Sequence, residues 1–314
     1  MRKHQSKRAL RRGLAAVLAL VLCLSGLFAV APAALASEAA ATGEKTEWQI
    51  RFAEHFTDEV VITDHSYSSP NVSIDITTHQ EIIDGYQQVW YVADIYIASI
   101  DCFRCFARGN SFDHYVKVQA DELAQEANAL LAINGDYCNA QVQSGFYVRN
   151  GQVYDTHQTV VDICVLYSDG TMETYGKKDY KVDEVLEREP YQVWKFGPRF
   201  LTKEGGVKKE FNAAGGLWIG NPRSAIGYYE PGHYCFVMVD GRQKNWSRGL
   251  TLEQMSQLFA DLGCKCAYNL DGGASATMTF MGQLFNKQSS YRKIGDILMI
   301  GEPDGSWPIP KEGE

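Results

Sequence analysis

Three apolar segments of this chain end in the same way, and this repeated ending constrains the fold more than any other feature of the sequence. Each segment has the length and composition of a buried strand, and each runs into a turn that holds an acidic residue beside a glycine. The three acidic residues are Asp136, Asp240 and Asp271. Ligand sites collect where strand ends and loops meet on a rigid scaffold. The repeated ending therefore predicts a sheet protein whose strand ends form one site.

The most informative of the three segments is residues 267–278, which read A-Y-N-L-D-G-G-A-S-A-T-M. Asp271 is followed by two glycines, which let the backbone take positive φ and come close to a ligand. Two hydroxyl residues follow, at Ser275 and Thr277. Two interpretations are open for this segment alone: Asp271 either caps a tight turn or contributes to a binding site.

One arginine lies in a setting where its charge needs a partner. Arg223 falls within residues 220–227, G-N-P-R-S-A-I-G, which read as the start of a strand of small residues. A bare charge is costly to bury in such a strand, so an arginine there pairs with a carboxylate or binds an anionic ligand. The sequence leaves both alternatives open.

The remaining elements predict a mixture of strands and helices. A run at 89–98 that is dense in β-branched and aromatic residues is typical of a strand, and Asn150-Gly151 is typical of a hairpin turn. Thr251 and Gln254 form a capping box ahead of an apolar stripe, which predicts a helix. Further predicted elements are a helix at 121–130, a hairpin at 160–175 and strands at 235–239, 266–270 and 294–300. Together they predict a mixed sheet with flanking helices.

The first 36 residues predict export. They carry six basic residues and no acid, then an apolar run over 14–30 and the small-x-small sequence Ala34-Leu35-Ala36. These are the three parts of a secretory signal peptide, so we expect a secreted or cell-envelope protein with no stable membrane insertion after cleavage. A retained anchor is the alternative, although the apolar run is near the lower limit for spanning a bilayer. The predicted organisation is a signal peptide at 1–36, an N-terminal extension at 37–84, the main domain at 85–303 and a flexible tail at 304–314.

The charge of the exported part argues against one class of partner. The whole chain has 30 basic and 38 acidic residues; without the six basic residues of the signal peptide, 24 basic and 38 acidic residues remain, a formal charge of −14. A surface this acidic argues against nucleic acid or an anionic membrane as the general partner. An anionic ligand would have to be bound by arginines placed locally against this field.

Seven cysteines and six histidines remain after residue 36. The tight Cys264-x-Cys266 spacing beside Cys102-x-x-Cys105 does not match the usual zinc knuckle, and the histidines are scattered. The favoured interpretation is that the cysteines are small buried hydrophobic residues, with one disulfide among them or none. We therefore predict no metal site built from histidine or cysteine, and no cofactor.

Five short segments occur in order between Val89 and Gly301. They are A-I-N-G-D-Y at 132–137, G-F-Y-V-R-N-G at 145–151, N-P-R-S-A-I-G at 221–227, V-D-G-R at 239–242 and Y-N-L-D-G-G-A-S-A-T-M at 268–278. In this order they resemble the phosphodiester glycosidase family, the N-acetylglucosamine-1-phosphodiester α-N-acetylglucosaminidase domain. The last two segments are the specific ones. The family more often reads D-G-G-G-S-[ST], so Ala274 departs from its pattern.

This resemblance implies a single α+β domain with a mixed, largely antiparallel sheet and flanking helices. The implied activity is hydrolysis of a sugar-1-phosphodiester, such as one of N-acetylglucosamine, to the free sugar and a phosphomonoester. For an exported protein the implied substrate is a cell-envelope or extracellular polysaccharide. The positions that the resemblance carries over as functional are Asn134, Asp136, Arg223, Asp240, Asp271, Gly272, Gly273 and Ser275.

Two carboxylates are usually needed for glycoside cleavage, and we predict Asp271 as nucleophile or base with Asp240 or Asp136 as its partner. Phosphate is a good leaving group, so holding its charge matters more than a strong general acid. Arg223 can hold it by a bidentate contact, and the backbone N–H groups of the two glycines can form an anion nest. The other predicted substrate-binding residues, whose hydroxyl or amide groups contact phosphate or sugar, are Asn134, Gly272, Gly273, Ser275 and Thr277.

Three alternatives remain open. Residues 273–277 partly resemble a G-x-S-x-G nucleophile elbow, which would make Ser275 the nucleophile of a serine hydrolase. The same pocket could belong to a non-catalytic binder of cell-wall or exopolysaccharide glycans. A divalent cation could also be held by Asp136, Asp240 and Asp271, since carboxylates suit a hard cation.

Overall fold

The computed structural model describes residues 44–136 and 145–308. Within these ranges the chain forms seventeen strands and five short α-helices. The strands are β1 Val61–Ile62, β2 Ser66–Ser68, β3 Val72–Ile83, β4 Tyr86–Ile97, β5 Phe103–Ala107, β6 Leu131–Asn134, β7 Tyr147–Arg149, β8 Gln152–Asp155, β9 Ile163–Tyr167, β10 Met172–Tyr175, β11 Pro190–Trp194, β12 Arg223–Glu230, β13 His233–Val239, β14 Cys266–Asn269, β15 Met278–Phe280, β16 Gln283–Leu284 and β17 Asp296–Ile300. The helices are α1 Glu47–Arg51, α2 Ala120–Glu126, α3 Val182–Leu186, α4 Gly215–Trp218 and α5 Leu252–Asp261.

The strands form three sheets, and every described pair of strands is antiparallel. The seven-stranded sheet has the order β1-β2-β3-β4-β13-β12-β14. The two five-stranded sheets have the orders β10-β9-β11-β7-β8 and β16-β15-β6-β17-β5. The predicted α+β class with largely antiparallel pairing is confirmed. The difference is that three sheets share the strands, where the sequence predicted one mixed sheet.

Two predicted local elements are confirmed in their details. Thr251 Oγ1 accepts from the Gln254 N–H at 3.2 Å, and Gln254 Oε1 accepts from the Thr251 N–H at 2.9 Å, so the capping box begins α5. Between β7 and β8, Asn150 and Gly151 have φ angles of 49° and 77°, as a type I′ turn requires. Residues close in sequence determine both elements.

β13 is apolar along most of its length because both faces of the seven-stranded sheet are covered. On one face Phe236 packs in a large cluster that also contains Leu298 of β17 and Leu166 of β9, so this cluster joins the three sheets. On the other face Val237 packs in a second cluster with Met255 of α5. Full burial of each such side chain contributes about 1.5–3 kcal/mol.

The range predicted as an N-terminal extension contributes strands to this sheet. β1, β2 and β3 all lie within residues 37–84, and β3 pairs with β4 along its whole length. The turn between them holds Asp84 and Gly85, with φ angles of 53° and 78°. The predicted signal peptide at 1–36 lies outside the described residues. None of the helices in the described ranges has the length and apolar character of a membrane span.

The fold brings the acid-bearing strand ends together. Arg223 begins β12 opposite the last residue of β13, so Asp240 follows at the same end of the sheet. β14, which ends two residues before Asp271, pairs with the other side of β12. Asn134 ends β6 in a different sheet, and its Nδ2 donates to the Asp271 carbonyl at 2.7 Å. Strand ends from two sheets therefore meet at the loop that carries Asp271.

Candidate active site

A small pocket of about 180 Å³ lies where these strand ends meet. Its walls include Asp271 and the two glycines after it, together with Arg223, Arg242 and Arg292. Three guanidinium-bearing side chains thus share the pocket with one carboxylate. In a chain of acidic composition, such a local concentration of arginine is typical of a site for an anion.

The Asp271 carboxylate is oriented at the pocket wall by two other side chains. Ser275 Oγ donates to Asp271 Oδ2 at 2.7 Å, and Arg292 Nη1 lies 3.8 Å from the same oxygen. The residue is only 6% exposed, so little solvent competes for these contacts. The pocket therefore holds an oriented carboxylate beside positive charge.

The loop that follows Asp271 folds back on itself. Asn134 Oδ1 accepts from the Thr277 N–H at 3.1 Å, and Thr277 Oγ1 donates to the Ser275 carbonyl at 3.0 Å. The Ser275 hydroxyl in turn donates to Asp271. The two hydroxyls that were predicted to donate to phosphate or sugar therefore donate within the loop, because the short 3₁₀ turn at 273–275 brings them back to it.

Gly272 and Gly273 are required by close packing. A Cβ on Gly272 would lie 2.6 Å from the Pro222 carbonyl oxygen, and a Cβ on Gly273 would lie 3.0 Å from the Arg242 guanidinium. The Gly273 N–H donates to the Pro222 carbonyl at 3.0 Å. The predicted anion nest of two N–H groups is therefore not formed, since one of them is already bonded. Gly272 leaves room for the Pro222 carbonyl, and Gly273 leaves room for the Arg242 guanidinium.

Arg223 is buried, and among the described residues no carboxylate lies within ion-pair distance of it. Its Nε donates to the Leu250 carbonyl at 3.0 Å. Its Nη2 donates to the carbonyls of Leu217 and Ile219 at 2.6 and 2.8 Å. Burial and then repulsion from Arg242 lower the pKa of Arg223 to about 10, so the side chain stays charged at neutral pH. Of the two alternatives for this residue, the pocket favours an anionic ligand.

Two of the three pocket arginines are absent from the predicted set. Arg242 Nε and Nη2 donate to Asn221 Oδ1 at 3.1 and 2.8 Å, and Arg292 Nη1 donates to Ser275 Oγ at 3.3 Å. Arg242 closes the V-D-G-R segment, and Arg292 lies just before the last predicted strand. A basic residue beside a strand end is the signal that both share with Arg223.

The Asp240 carboxylate lies in a separate hydrogen-bond network and is not among the residues that line the pocket. Trp246 Nε1 and the Tyr91 hydroxyl donate to Oδ2 at 2.7 and 3.1 Å, and Asn286 Nδ2 donates to Oδ1 at 2.9 Å. Burial raises the pKa of Asp240, although these donors oppose the shift. Asn286 Oδ1 also accepts from the Met278 N–H at 2.7 Å, so Asp240 supports the start of β15. Its role as catalytic partner stays a prediction.

Asp136 lies in a buried charge cluster beside the pocket. Arg149 Nη2 donates to Asp136 Oδ1 at 3.0 Å, and Arg149 Nε donates to Asp296 Oδ2 at 3.3 Å. The Lys195 N–H donates to Asp136 Oδ2 at 2.8 Å. Burial raises the pKa of Asp296 to about 6, although Arg149 opposes the shift. Asp296 and Asp271 border one small void, so this cluster adjoins the candidate site, and the catalytic role of Asp136 stays a prediction.

A larger cleft of about 650 Å³ lies toward the other ends of β12 and β14. Its two acidic residues are already paired, Glu173 with Arg188 at 2.9 Å and Asp179 with Arg199, another residue of the cleft, at 3.0 Å. None of the predicted site residues lines this cleft. We therefore place the candidate active site at the smaller pocket, where an oriented carboxylate and the arginines coincide.

The contacts of the Ser275 hydroxyl bear on the serine-hydrolase alternative. Its hydroxyl donates to Asp271 and accepts from Arg292. Within the described part of the chain, no histidine forms a hydrogen bond with this hydroxyl. A serine triad places a histidine there as general base. The geometry of the described residues therefore does not support the serine-hydrolase alternative.

Potential metal ligands do not cluster in the described ranges: no group of three or more His, Cys, Asp or Glu side chains there is arranged to hold a metal ion. The three acidic residues of the strand ends belong to the separate networks given above. The six cysteines in these ranges are buried and free, as the interpretation of small buried hydrophobic residues predicted. Cys138 lies outside the described residues.

The pocket falls inside a region that matches a known family. The profile of the phosphodiester glycosidase family (NAGPA) matches residues 127–301, which is more than half of the chain. The chain belongs to the phosphodiester glycosidase family. Every predicted site residue and all three pocket arginines of this family member lie within the matched range.

Two relatives illustrate the extent of the similarity. The SPbeta prophage-derived uncharacterized protein YomE of Bacillus subtilis (strain 168) is 30% identical over 190 residues, which is 58% of this chain and 29% of that protein. The chain thus spans less than a third of the length of this relative. The catalytic domain of zebrafish N-acetylglucosamine-1-phosphodiester α-N-acetylglucosaminidase, auto-inhibited by its pro-peptide, superposes with a TM-score of 0.60 at 21% identity, covering 74% of this chain and 84% of that one. This likeness shows a shared fold.

Proposed function

We propose that this protein is a secreted hydrolase that cleaves a sugar-1-phosphodiester of the N-acetylglucosamine kind to free sugar and phosphomonoester. Its substrate in this proposal is a cell-envelope or extracellular polysaccharide. The observation that carries the proposal is the pocket that Asp271 shares with Arg223, Arg242 and Arg292. Family membership supports the reaction type, and the predicted signal peptide supports the exported location.

In this proposal Asp271 acts at the anomeric carbon. The bond between C1 and the bridging oxygen breaks, and that oxygen leaves with the phosphoryl group. Water supplies the oxygen that ends on C1, and its second proton goes to the phosphomonoester or to solvent. Asp271 either attacks C1 as a nucleophile or takes the proton of the attacking water. Ser275 and Arg292 keep the carboxylate oriented for either role.

The arginines stabilise the charge of the departing phosphate. Guanidinium groups bind phosphate oxygens through charge-assisted hydrogen bonds, and donors positioned before the reaction are worth most in a pocket that excludes water. A leaving group held by cations needs little protonation. In this proposal Asp271 supplies the reacting carboxylate, and Asp136 and Asp240 position the surrounding strands.

The test is incubation of the purified protein with a GlcNAc-1-phosphomethyl ester and with UDP-GlcNAc, with the released sugar and its anomer followed by NMR. We expect release by the wild-type protein and a loss of about 10²- to 10⁴-fold in Asp271→Asn. Asp64→Asn, an exposed acid, is the matched control. Hydrolysis near the wild-type rate by a folded Asp271→Asn protein would show that another group is the reacting carboxylate. Binding of the ester without any release of sugar would favour the non-catalytic glycan binder.

A further inference from the structure

Asn221 lies in the wall of the pocket, and both ends of its side-chain amide are hydrogen-bonded. The residue is only 6% exposed. Its Oδ1 accepts from Arg242 Nε and Nη2 at 3.1 and 2.8 Å. Its Nδ2 donates to the Gly216 and Ile219 carbonyls, in both cases at 3.0 Å. One buried amide therefore joins a pocket arginine to the segment that contains α4.

The neighbours of Asn221 require an amide in one orientation. A guanidinium only donates hydrogen bonds, and a backbone carbonyl only accepts them. The amide oxygen must therefore face Arg242, and the amide nitrogen must face the carbonyls. An aspartate would place a carboxylate oxygen against the carbonyls, and a leucine would leave the donors and the acceptors without partners.

These bonds determine how Arg242 presents its guanidinium. Arg242 is an exposed residue, and a long side chain loses much rotamer freedom when it is ordered. Asn221 orders it by binding the side of the guanidinium that carries Nε. Nη1, for which the described residues provide no hydrogen-bond partner, lies near Gly273, where a Cβ would be 3.0 Å from it. The Nη1–Nη2 edge is therefore the part that is left for a ligand.

Asn221 also shares two backbone carbonyls with Arg223. The Ile219 carbonyl accepts from Asn221 Nδ2 at 3.0 Å and from Arg223 Nη2 at 2.8 Å. The Leu250 carbonyl accepts from the Asn221 N–H at 3.2 Å and from Arg223 Nε at 3.0 Å. Since Asn221 also binds Arg242 directly, it fixes the position of one pocket guanidinium relative to the other.

Resting on the proposed function, we propose that Asn221 is a positioning residue that directs the Nη1–Nη2 edge of Arg242 at the phosphate group of the substrate. A guanidinium edge binds two oxygens of one phosphate in a bidentate contact, and this contact requires the plane of the guanidinium to be set. Asn221 touches no reacting atom in this role. It acts through Arg242, so its contribution should disappear when Arg242 is replaced.

The positioning role is tested by calorimetric titration with inorganic phosphate. The variants are Asn221→Ala, Arg242→Gln, the double variant of both, and Arg242→Lys. Arg242→Lys leaves Asn221 in place and keeps the positive charge, but an ammonium group cannot make the planar bidentate contact. The control is Gln125→Ala, because Nε2 of this exposed residue donates to the Gly282 carbonyl at 3.0 Å outside the pocket. Urea unfolding checks that each variant is folded.

We expect Asn221→Ala to raise the Kd for phosphate about three- to tenfold and Arg242→Gln to raise it about tenfold or more. The double variant should bind as weakly as Arg242→Gln and no more weakly. Arg242→Lys should lose most of the affinity that Arg242→Gln loses, and Gln125→Ala should bind like the wild type. Single effects that multiply in the double variant, or wild-type affinity in Asn221→Ala or in Arg242→Lys, would overturn the positioning role. If Asn221→Ala does not fold, the result for Arg242→Lys decides the role.

The positioning role and the proposed activity fail separately. If phosphate binding follows the expected pattern and the wild-type protein releases no sugar from the GlcNAc-1-phosphomethyl ester, the proposed activity is wrong and the role of Asn221 in anion binding stands. If the wild-type protein hydrolyses the ester while Asn221→Ala and Arg242→Lys keep the wild-type Kd for phosphate, the activity stands and the role is wrong. A wild-type protein that binds no phosphate also contradicts the role.

Discussion

Asn134 and Asp271 are joined by a buried hydrogen bond, in which Asn134 Nδ2 donates to the Asp271 carbonyl at 2.7 Å. The same amide accepts from the Thr277 N–H at 3.1 Å through Oδ1. Asn134 ends β6, and Asp271 follows β14 in a different sheet. One side chain therefore holds both ends of the loop that carries the candidate catalytic carboxylate.

Replacing Asn134 by Ala should lower both stability and activity. The substitution leaves the Asp271 carbonyl and the Thr277 N–H buried without this partner, which costs about 1–3 kcal/mol per group. Urea unfolding should show the loss in the free energy of unfolding, and kcat should fall because Asp271 is held less firmly. The control is Asn212→Ala, since Asn212 is exposed and its bond to Asp162 is 3.3 Å long. A variant as stable as the wild type would show that the loop does not depend on Asn134.

Replacing Arg242 by Gln should weaken anion binding with little change in the free energy of unfolding. The substitution removes two hydrogen bonds to Asn221 Oδ1. It also removes the repulsion that helps to lower the pKa of Arg223, and this gain offsets the loss. Inorganic phosphate at 100 times its Kd should stabilise the wild type by about 2.7 kcal/mol and the variant by less. Thermal unfolding with and without phosphate measures both effects.

The control for this experiment is Arg108→Gln, whose ion pairs to Glu122 and Glu126 lie on the surface. It should keep the wild-type response to phosphate. If Arg242→Gln also kept the full response, the phosphate would not be bound by Arg242.

The free energy of unfolding should fall as the pH rises from about 4 to about 6, because of the raised pKa of Asp296. Burial raises the pKa of Asp296 from 3.8 to about 6, so the folded state holds a proton that the unfolded state has lost over this range. Stability therefore falls with rising pH wherever the folded state binds more protons. Urea unfolding across this range should show a shallower pH dependence in Asp296→Asn than in the wild type.

Asp304→Asn provides a control of opposite sign. Hydrogen bonds from Ser306 lower the pKa of Asp304, so the contribution of Asp304 to stability grows as the pH rises and is lost as the pH falls. Parallel pH profiles for the wild type and Asp296→Asn would refute the assigned titration of Asp296.

Asp240→Asn should separate a positioning role from a catalytic one. The amide nitrogen would face either the Asn286 donor at the Oδ1 position or the Trp246 and Tyr91 donors at the Oδ2 position. We therefore expect the free energy of unfolding to fall by about 1–3 kcal/mol. The kcat should fall less than in Asp271→Asn. Asp75→Asn on β3, which is exposed, is the control for both measurements. A loss of kcat as large as that of Asp271→Asn, at unchanged stability, would instead make Asp240 the catalytic partner that the sequence predicts.

Local features of the fold were predictable because neighbouring residues determine them. The Thr251 capping box and the Asn150-Gly151 turn each depend on atoms within four residues. The division of strands into three sheets depends on pairings such as β13 with β4, whose partners are far apart in the chain. Hydrophobic periodicity marks a buried strand and does not say which strand lies beside it.

The candidate site divides in the same way. The sequence by itself predicted Asp271 with its glycines, and Arg223, as site residues, because a charge at the end of an apolar run is costly to bury without a partner or a ligand. Only the tertiary structure separated Asp240 from the pocket and brought Arg242 and Arg292 into it. The directions of these side chains follow from long-range contacts: Asn286 and Tyr91 bind Asp240, whereas Arg242 has a φ of 60° and packs against Gly273. The local sequence determines residue type and turn conformation. Packing between the sheets determines which side chains share a pocket.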